Sequence, residues 1–191
     1  PDAKLNRITR KNHQGVVAQM STIAYASLDN VIDQCYAVGK APLILVLDHL
    51  TDVRNFGAIA RTAECAGVDA IVIPEKGSAQ INSDAVKTSA GALNFIPVAR
   101  VKNLFYTCRD LQKMGLSLIA ITEKTEKLMY EGDFASPVAL IMGSEEDGIS
   151  QEIMGMVDDK VRIPLAGNIE SLNVSVSAGV AIYEAIRQRK K

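Results

Sequence analysis

The stretch Ala41-Pro-Leu-Ile-Leu-Val-Leu-Asp-His-Leu-Thr-Asp-Val-Arg-Asn-Phe-Gly-Ala-Ile-Ala-Arg-Thr-Ala-Glu-Cys-Ala-Gly67 decides the fold. Pro42 to Leu47 is an apolar run with no polar alternation, the pattern of a short strand buried on both faces. From Asn55 to Cys65 the spacing changes: Phe56, Ile59, Ala60 and Ala63 recur at helical intervals, and Gly67 supplies the stop. A strand therefore feeds a helix through a polar loop.

The same alternation continues outward. Further strands are predicted at Ala70–Ile73, Ile96–Val101, Leu116–Ile121, Val138–Met142 and Val161–Ile163. Asn103 opens a helix whose apolar positions include Leu104, Leu111 and Met114 and which stops at Gly115; Asn173 to Gln188 makes another. Strands alternating with helices predict an α/β domain with a mostly parallel sheet flanked by helices. In such sheets ligands gather at the carboxyl ends of strands, which directs attention to the loops after Leu47, Met142 and Ile163.

Composition sets the bounds. With 191 residues, 48% apolar and 23% charged, the chain has the makeup of one globular domain. No uncharged run reaches the roughly 18 residues of a membrane span and no leader pattern opens the chain, so a soluble, cytoplasmic protein is expected. Cys35, Cys65 and Cys108 form no Cys-x-x-Cys and have only His13 and His49 for company, so no metal site is expected and all three read as core or neutral thiols. Lys plus Arg number 21 against 22 acids, a net charge of −1, so any polyanion contact must be local. Both ends are basic, with Lys4, Arg7, Arg10 and Lys11 near the start and Arg187, Arg189, Lys190 and Lys191 at the finish. The start at Pro1 rather than Met suggests that a segment precedes it.

The loops are specific in what they lack. There is no Gly-x-Gly-x-x-Gly after the first strand, no Gly-x-x-x-x-Gly-Lys-Ser/Thr and no Gly-x-Ser-x-Gly, which argues against a dinucleotide fingerprint, a P-loop or a serine hydrolase. In the first loop Asn55 reads as a helix cap, His49 as a loop residue, and Gly57 as a point of close approach for backbone or ligand. Arg61 reads either as a surface ion-pair partner or as a guanidinium fork for a phosphate. The second, Met142-Gly-Ser-Glu-Glu-Asp-Gly148, puts Gly143 where a ligand could lie against main chain, and its three acids suit a cation, hydroxyl or amine. The third, Ile163-Pro-Leu-Ala-Gly through Glu170-Ser-Leu-Asn-Val-Ser175, leads into a helix of small residues capped by Ser171 or Asn173.

Together, Asn55-Phe-Gly-Ala with Arg61-Thr-Ala-Glu64, Met142-Gly-Ser-Glu with Gly148, and the third string resemble the three ordered motifs of the SpoU family of the SPOUT class, RNA ribose 2′-O-methyltransferases. His13-Gln-Gly, Ser78-Ala-Gln and Tyr183-Glu-Ala-Ile-Arg-Gln-Arg189 are similar to the subgroup that methylates guanosine in bacterial large-subunit ribosomal RNA, with transfer RNA methylation the near alternative. The resemblance implies an S-adenosylmethionine cofactor, a carboxyl-terminal trefoil knot, a homodimer and an RNA partner, with neither DNA nor membrane. It also implies that residues 1–27 are the tail of an RNA-binding domain plus linker and 28–191 the catalytic domain. Carried over by motif, Asn55, Arg61, Glu145, Ser171 and Asn173 form the expected catalytic set, and Thr122, Gly143, Ile163 and Leu172 the expected cofactor contacts. Glu145 is expected to orient Arg61 or a loop amide. A non-catalytic RNA-binding or ribosome-assembly module and a small-molecule α/β enzyme remain as other readings.

Overall fold

The computed structural model describes residues 23–190, with Arg7 and Gln14 besides. The readings that rest on Lys4, Arg10, Lys11, His13 and Lys191, and on most of residues 1–27, lie outside the described residues. In chain order the elements are α1 (Leu28–Ala37), β1 (Leu43–Leu47), α2 (Val53–Ala66), β2 (Ala70–Pro74), α3 (Ser83–Thr88), β3 (Val98–Val101), α4 (Leu104–Lys113), β4 (Ser117–Ile121), β5 (Val138–Met142), α5 (Gln151–Met154), β6 (Asp159–Val161) and α6 (Val174–Arg189).

All six strands run parallel in the order β3-β2-β1-β5-β4-β6. The chain steps outward from β1 through β2 to β3, then crosses to β4, and β5 fills the gap beside β1. β1 and β5 thus flank the switch point, where the loops diverge and leave a crevice. The run Leu43–Leu47 is buried at every position because helices cover both faces. Leu43, Leu45 and Leu47 join a core with Phe56, Ile59 and Ala63 of α2 and Ala178, Ile182 and Ala185 of α6. Ile44 and Val46 face the other way, toward Ile32 of α1, Leu104, Cys108 and Leu111 of α4, and Ile153 of α5.

The strand and helix readings hold in kind, with displaced ends. β3 starts at Val98 rather than Ile96, because Ala92–Asn94 forms a 3₁₀ turn that the chain leaves through Ile96 and Pro97. β6 ends at Val161 rather than Ile163. Asn55 is not the cap of α2: the helix begins two residues earlier, and the Asp52 carboxylate accepts the Asn55 N–H at 2.7 Å. Gly57 is required by backbone and not by a ligand, since a Cβ there would lie 2.7 Å from Thr88 Cβ and 3.0 Å from the Ala85 carbonyl oxygen. The small residues of α6 likewise serve packing against α2. Helices α1, α3 and α5 were not among the expected elements; two of them are six residues or fewer, too short to show a period.

Cys35 and Cys108 are buried, but Cys65 is exposed on α2 and is not a core residue. Burial, reinforced by the Asp48 carboxylate, pushes the Cys108 thiol up to about 12, so it stays neutral. Among the described residues no group of His, Cys, Asp or Glu could hold a metal ion, and no helix is long and apolar enough to cross a membrane.

One side chain fastens the end of the chain to the sheet. Arg189 donates to the carbonyls of Phe134 (2.8 Å), Ala41 (2.6 Å), Pro42 (3.0 Å) and Ser136 (2.8 Å). It thereby joins the end of α6 to the segments that enter β1 and β5. Burial lowers the pKa of this guanidinium from its ordinary value, while Asp69 and Asp133 oppose the shift. Arg189→Ala leaves four carbonyls without their donor and is expected to cost about 3 kcal/mol. Urea unfolding measures this, and a loss under about 1 kcal/mol would show that water replaces the contacts.

Candidate active site

Three segments meet at the carboxyl ends of β1 and β5. From the first turn of α2, Asn55 Nδ2 donates to Glu145 Oε1 at 3.2 Å. Asn173, the N-cap of α6, donates its Nδ2 to the same oxygen at 2.8 Å and to Asn55 Oδ1 at 3.1 Å. The Val174 N–H adds a longer bond to Glu145 Oε1 at 3.4 Å. Asn173 Oδ1 meanwhile accepts from the backbone and hydroxyl of Ser175. Glu145 therefore anchors both asparagines and the start of α6, and it does not orient Arg61.

The loop carrying Glu145 is closed on itself. Ser144 and Gly148 exchange backbone hydrogen bonds of 3.2 and 3.1 Å, and Glu146 and Asp147 stand exposed at the tip while Glu145 reaches the asparagines. Gly148 holds φ +70°, and a Cβ on Gly143 would fall 1.9 Å from the Gly148 carbonyl carbon. On that side Gly143 admits the loop's own return, while the residue also lines the cleft beside the network. Asp48, which the sequence reading passed over, is fully buried and braces this loop from below. Its carboxylate accepts the Ser150 N–H at 2.8 Å and lies 2.5 Å from His49 Nδ1, while its own N–H donates to Met142 O at 2.8 Å. The signal was an acid directly after an all-apolar strand. His49 is more than a loop residue, since it pairs with this acid at φ +55°, an uncommon conformation for a residue with a Cβ.

Beside the network opens a cleft of about 610 Å³, within the usual range for small-molecule sites. Thr122, Gly143, Ile163 and Leu172 all line it, as do Glu145, Ser171 and Asn173. Arg61 does not. It lies exposed on α2, about one and two-thirds turns beyond Asn55, and its side chain has no hydrogen bond or ion pair to any described residue.

The sequence from 42 to 183 matches the model of the SpoU rRNA methylase family. The chain belongs to that family. SpoU relatives include the 23S rRNA (guanosine-2′-O-)-methyltransferase RlmB of Vibrio parahaemolyticus, 40% identical over 93% of this chain and 72% of its own length. RlmB of Ralstonia nicotianae is 42% identical over 93% and 70%. Among solved structures, the SpoU methyltransferase AviRb of Streptomyces viridochromogenes superposes with a TM-score of 0.77 at 26% identity, covering 87% of this chain and 65% of AviRb. Its complex with the cofactor AdoMet gives 0.73 at 27% identity, covering 78% and 58%. The A. aeolicus TrmH/SpoU tRNA modifying enzyme gives 0.72 at 30% identity, covering 85% and 84%.

The cleft of this SpoU chain suits a charged nucleoside ligand. Apolar Ile121, Leu128, Met142 and Leu172 offer a surface for a flat ring, and Glu123, Glu145 and Glu170 face the space with negative charge. Gly143 is the position least tolerant of change. Gly143→Ala drives a methyl group into the Gly148 backbone, must open the loop, and is expected to cost about 2 kcal/mol. Unfolding and calorimetric titration with S-adenosylmethionine should show lost stability together with weakened binding; intact binding would mean that the loop does not shape the cleft.

Proposed function

We propose that this chain transfers a methyl group from S-adenosylmethionine to a ribose 2′-hydroxyl of RNA, the target being a guanosine of large-subunit ribosomal RNA. The observation that carries this reading is the Asn55–Glu145–Asn173 network at the mouth of a cleft lined by the residues expected to hold the cofactor. The identity to RlmB proteins supports the ribosomal target over transfer RNA. The chemistry selects RNA over DNA, because the hydroxyl that receives the methyl group exists only in RNA.

Bound S-adenosylmethionine supplies a methyl group already activated on a sulfonium, so the protein has to position the hydroxyl and manage its proton. A ribose hydroxyl is a very weak acid, and holding it in line accounts for much of the rate gain. Asn55 and Asn173, locked by Glu145, present a rigid polar edge to the ribose, with Ser171 beside them. Backbone at Gly143, Ile163 and Leu172, with Thr122, lines the cofactor's side. Arg61, always protonated, is no general base. Its guanidinium grips the neighbouring RNA phosphate and polarises the hydroxyl, and the proton leaves to that phosphate or to water.

We read the assembly as a homodimer. Val176, Val180 and Tyr183 form an exposed apolar stripe on the side of α6 opposite its buried face, spaced i, i+4, i+7 as a packing surface requires. The trefoil knot belongs to the segment from β6 through the 164–173 loop into α6. Residues 1–27 serve as the tail of an RNA-binding domain and 28–191 as the catalytic domain. Unpaired cysteines fit a cytoplasmic location.

Radiolabelled S-adenosylmethionine with unmodified large-subunit ribosomal RNA, and transfer RNA in parallel, tests the activity. Label on a guanosine ribose 2′-oxygen of the ribosomal RNA is expected; label confined to transfer RNA would overturn the target, and no label with demonstrated cofactor binding would leave a binding module. Arg61→Lys should lose most turnover with cofactor binding intact, since lysine lacks the bidentate fork; near-normal turnover would reject that role. Val180→Glu is expected to convert the dimer to monomer in light scattering, and an unchanged mass would remove the α6 stripe from the interface.

A further inference from the structure

Arg162 has no part in the polar network, yet its side chain forms part of the cleft wall. Val161 is fully buried in the core, and the next residue faces the other way. The Arg162 backbone is clamped to a neighbouring segment, its N–H donating to Lys127 O and its carbonyl accepting from the Met129 N–H, both at 2.9 Å. The guanidinium so placed has one ion-pair partner, Glu126, at 2.8 Å, and that carboxylate is 91% exposed. An ion pair this open to water contributes little. Nε is different, being buried and without a hydrogen-bond partner. A buried donor left unpaired is a standing cost that an acceptor arriving with a ligand removes.

Charge identifies the acceptor. Among the residues lining the cleft, Arg162 is the single cation, against the glutamates at 123, 145 and 170. A ligand matched to that wall carries more positive than negative groups and one anion. S-adenosylmethionine has this pattern: a sulfonium, an ammonium and one carboxylate. We propose that Arg162 recognises the cofactor's carboxylate, with Nε as the donor, and so selects the amino-acid end of the ligand. The inference rests on the cofactor reading above and adds a binding residue outside the family's three motifs as they were matched by sequence.

Calorimetric titration of the whole chain tests it, using S-adenosylmethionine and its decarboxylated analogue, which keeps the adenosine, sulfonium and amine. Arg162→Gln is expected to weaken cofactor binding by about tenfold or more, the scale of one lost charge-assisted hydrogen bond. The same variant should bind the decarboxylated analogue as the wild type does. Glu126→Gln, which frees the far end of the guanidinium and leaves Nε in place, should not weaken binding. Should the glutamine variant unfold, Arg162→Lys reads the same contrast, since lysine keeps the charge and loses the Nε fork. Equal weakening of both ligands, or of neither, overturns the inference. A wild-type chain that binds neither overturns the cofactor reading itself.

Discussion

One carboxylate oxygen, Glu145 Oε1, joins three segments that are far apart in sequence: the loop after β5, the first turn of α2 and the start of α6. The geometry of the site depends on that convergence. Each asparagine brings a donor to the acid, and the Asn173–Asn55 bond closes the triangle, so none of the three can turn without breaking two contacts. A closed network of this kind fixes orientation more firmly than separate pairs would. Asn173 carries a second duty as the cap of α6, which couples the helix start to the network.

The acid can reach that position only because its loop is unusually tight. Gly143 has no room for a Cβ against the Gly148 backbone, and Gly148 holds a positive φ that a side chain would strain. Below them, buried Asp48 ties the end of β1 to Ser150, where the loop gives way to α5. The switch point of the sheet supplies the crevice, and these two devices decide which side chains enter it. The interior contributes by elimination: strands buried on both faces leave polar residues nowhere to stand but the loops.

Much of this was legible in the residues and some was not, for physical reasons. The run Leu43–Leu47 and the stripe Phe56, Ile59, Ala63 are local patterns, and they announced β1 and α2 directly. Short α3 and α5 carry too little sequence to show a period. Asn55 looked like a cap because a cap and a site asparagine share one chemistry; only the Asp52 carboxylate, three residues away, separates the two. The partners of Glu145 were beyond reach, since no spacing reveals which of several acids will face an asparagine 90 residues away in the chain. Gly143 shows close approach in the sequence, and the structure adds a second reason for it: the loop's own backbone returns against one side while the residue lines the cleft.

The solitude of Arg61 gives the two sides of the site different tasks. Six residues beyond Asn55 on a rigid helix, its Cα stands about 9 Å farther along the axis. It does not line the cleft, and its side chain meets no acid among the described residues. An unpaired, exposed arginine is ordinary on a surface, but this one follows a network in which every asparagine amide nitrogen is engaged. The cleft, with three glutamates against Arg162, carries net negative charge, which disfavours a phosphate and favours a cationic cofactor. On the proposed reading a polyanion is turned away from the space where the methyl donor sits and toward the helix that carries Arg54 and Arg61. With a net charge of −1 the chain has little general attraction for RNA, so orientation must come from such local contrasts of sign. On that reading, the junction between the acidic cleft and the Arg61 guanidinium is where a ribose, flanked by its own phosphate, meets both.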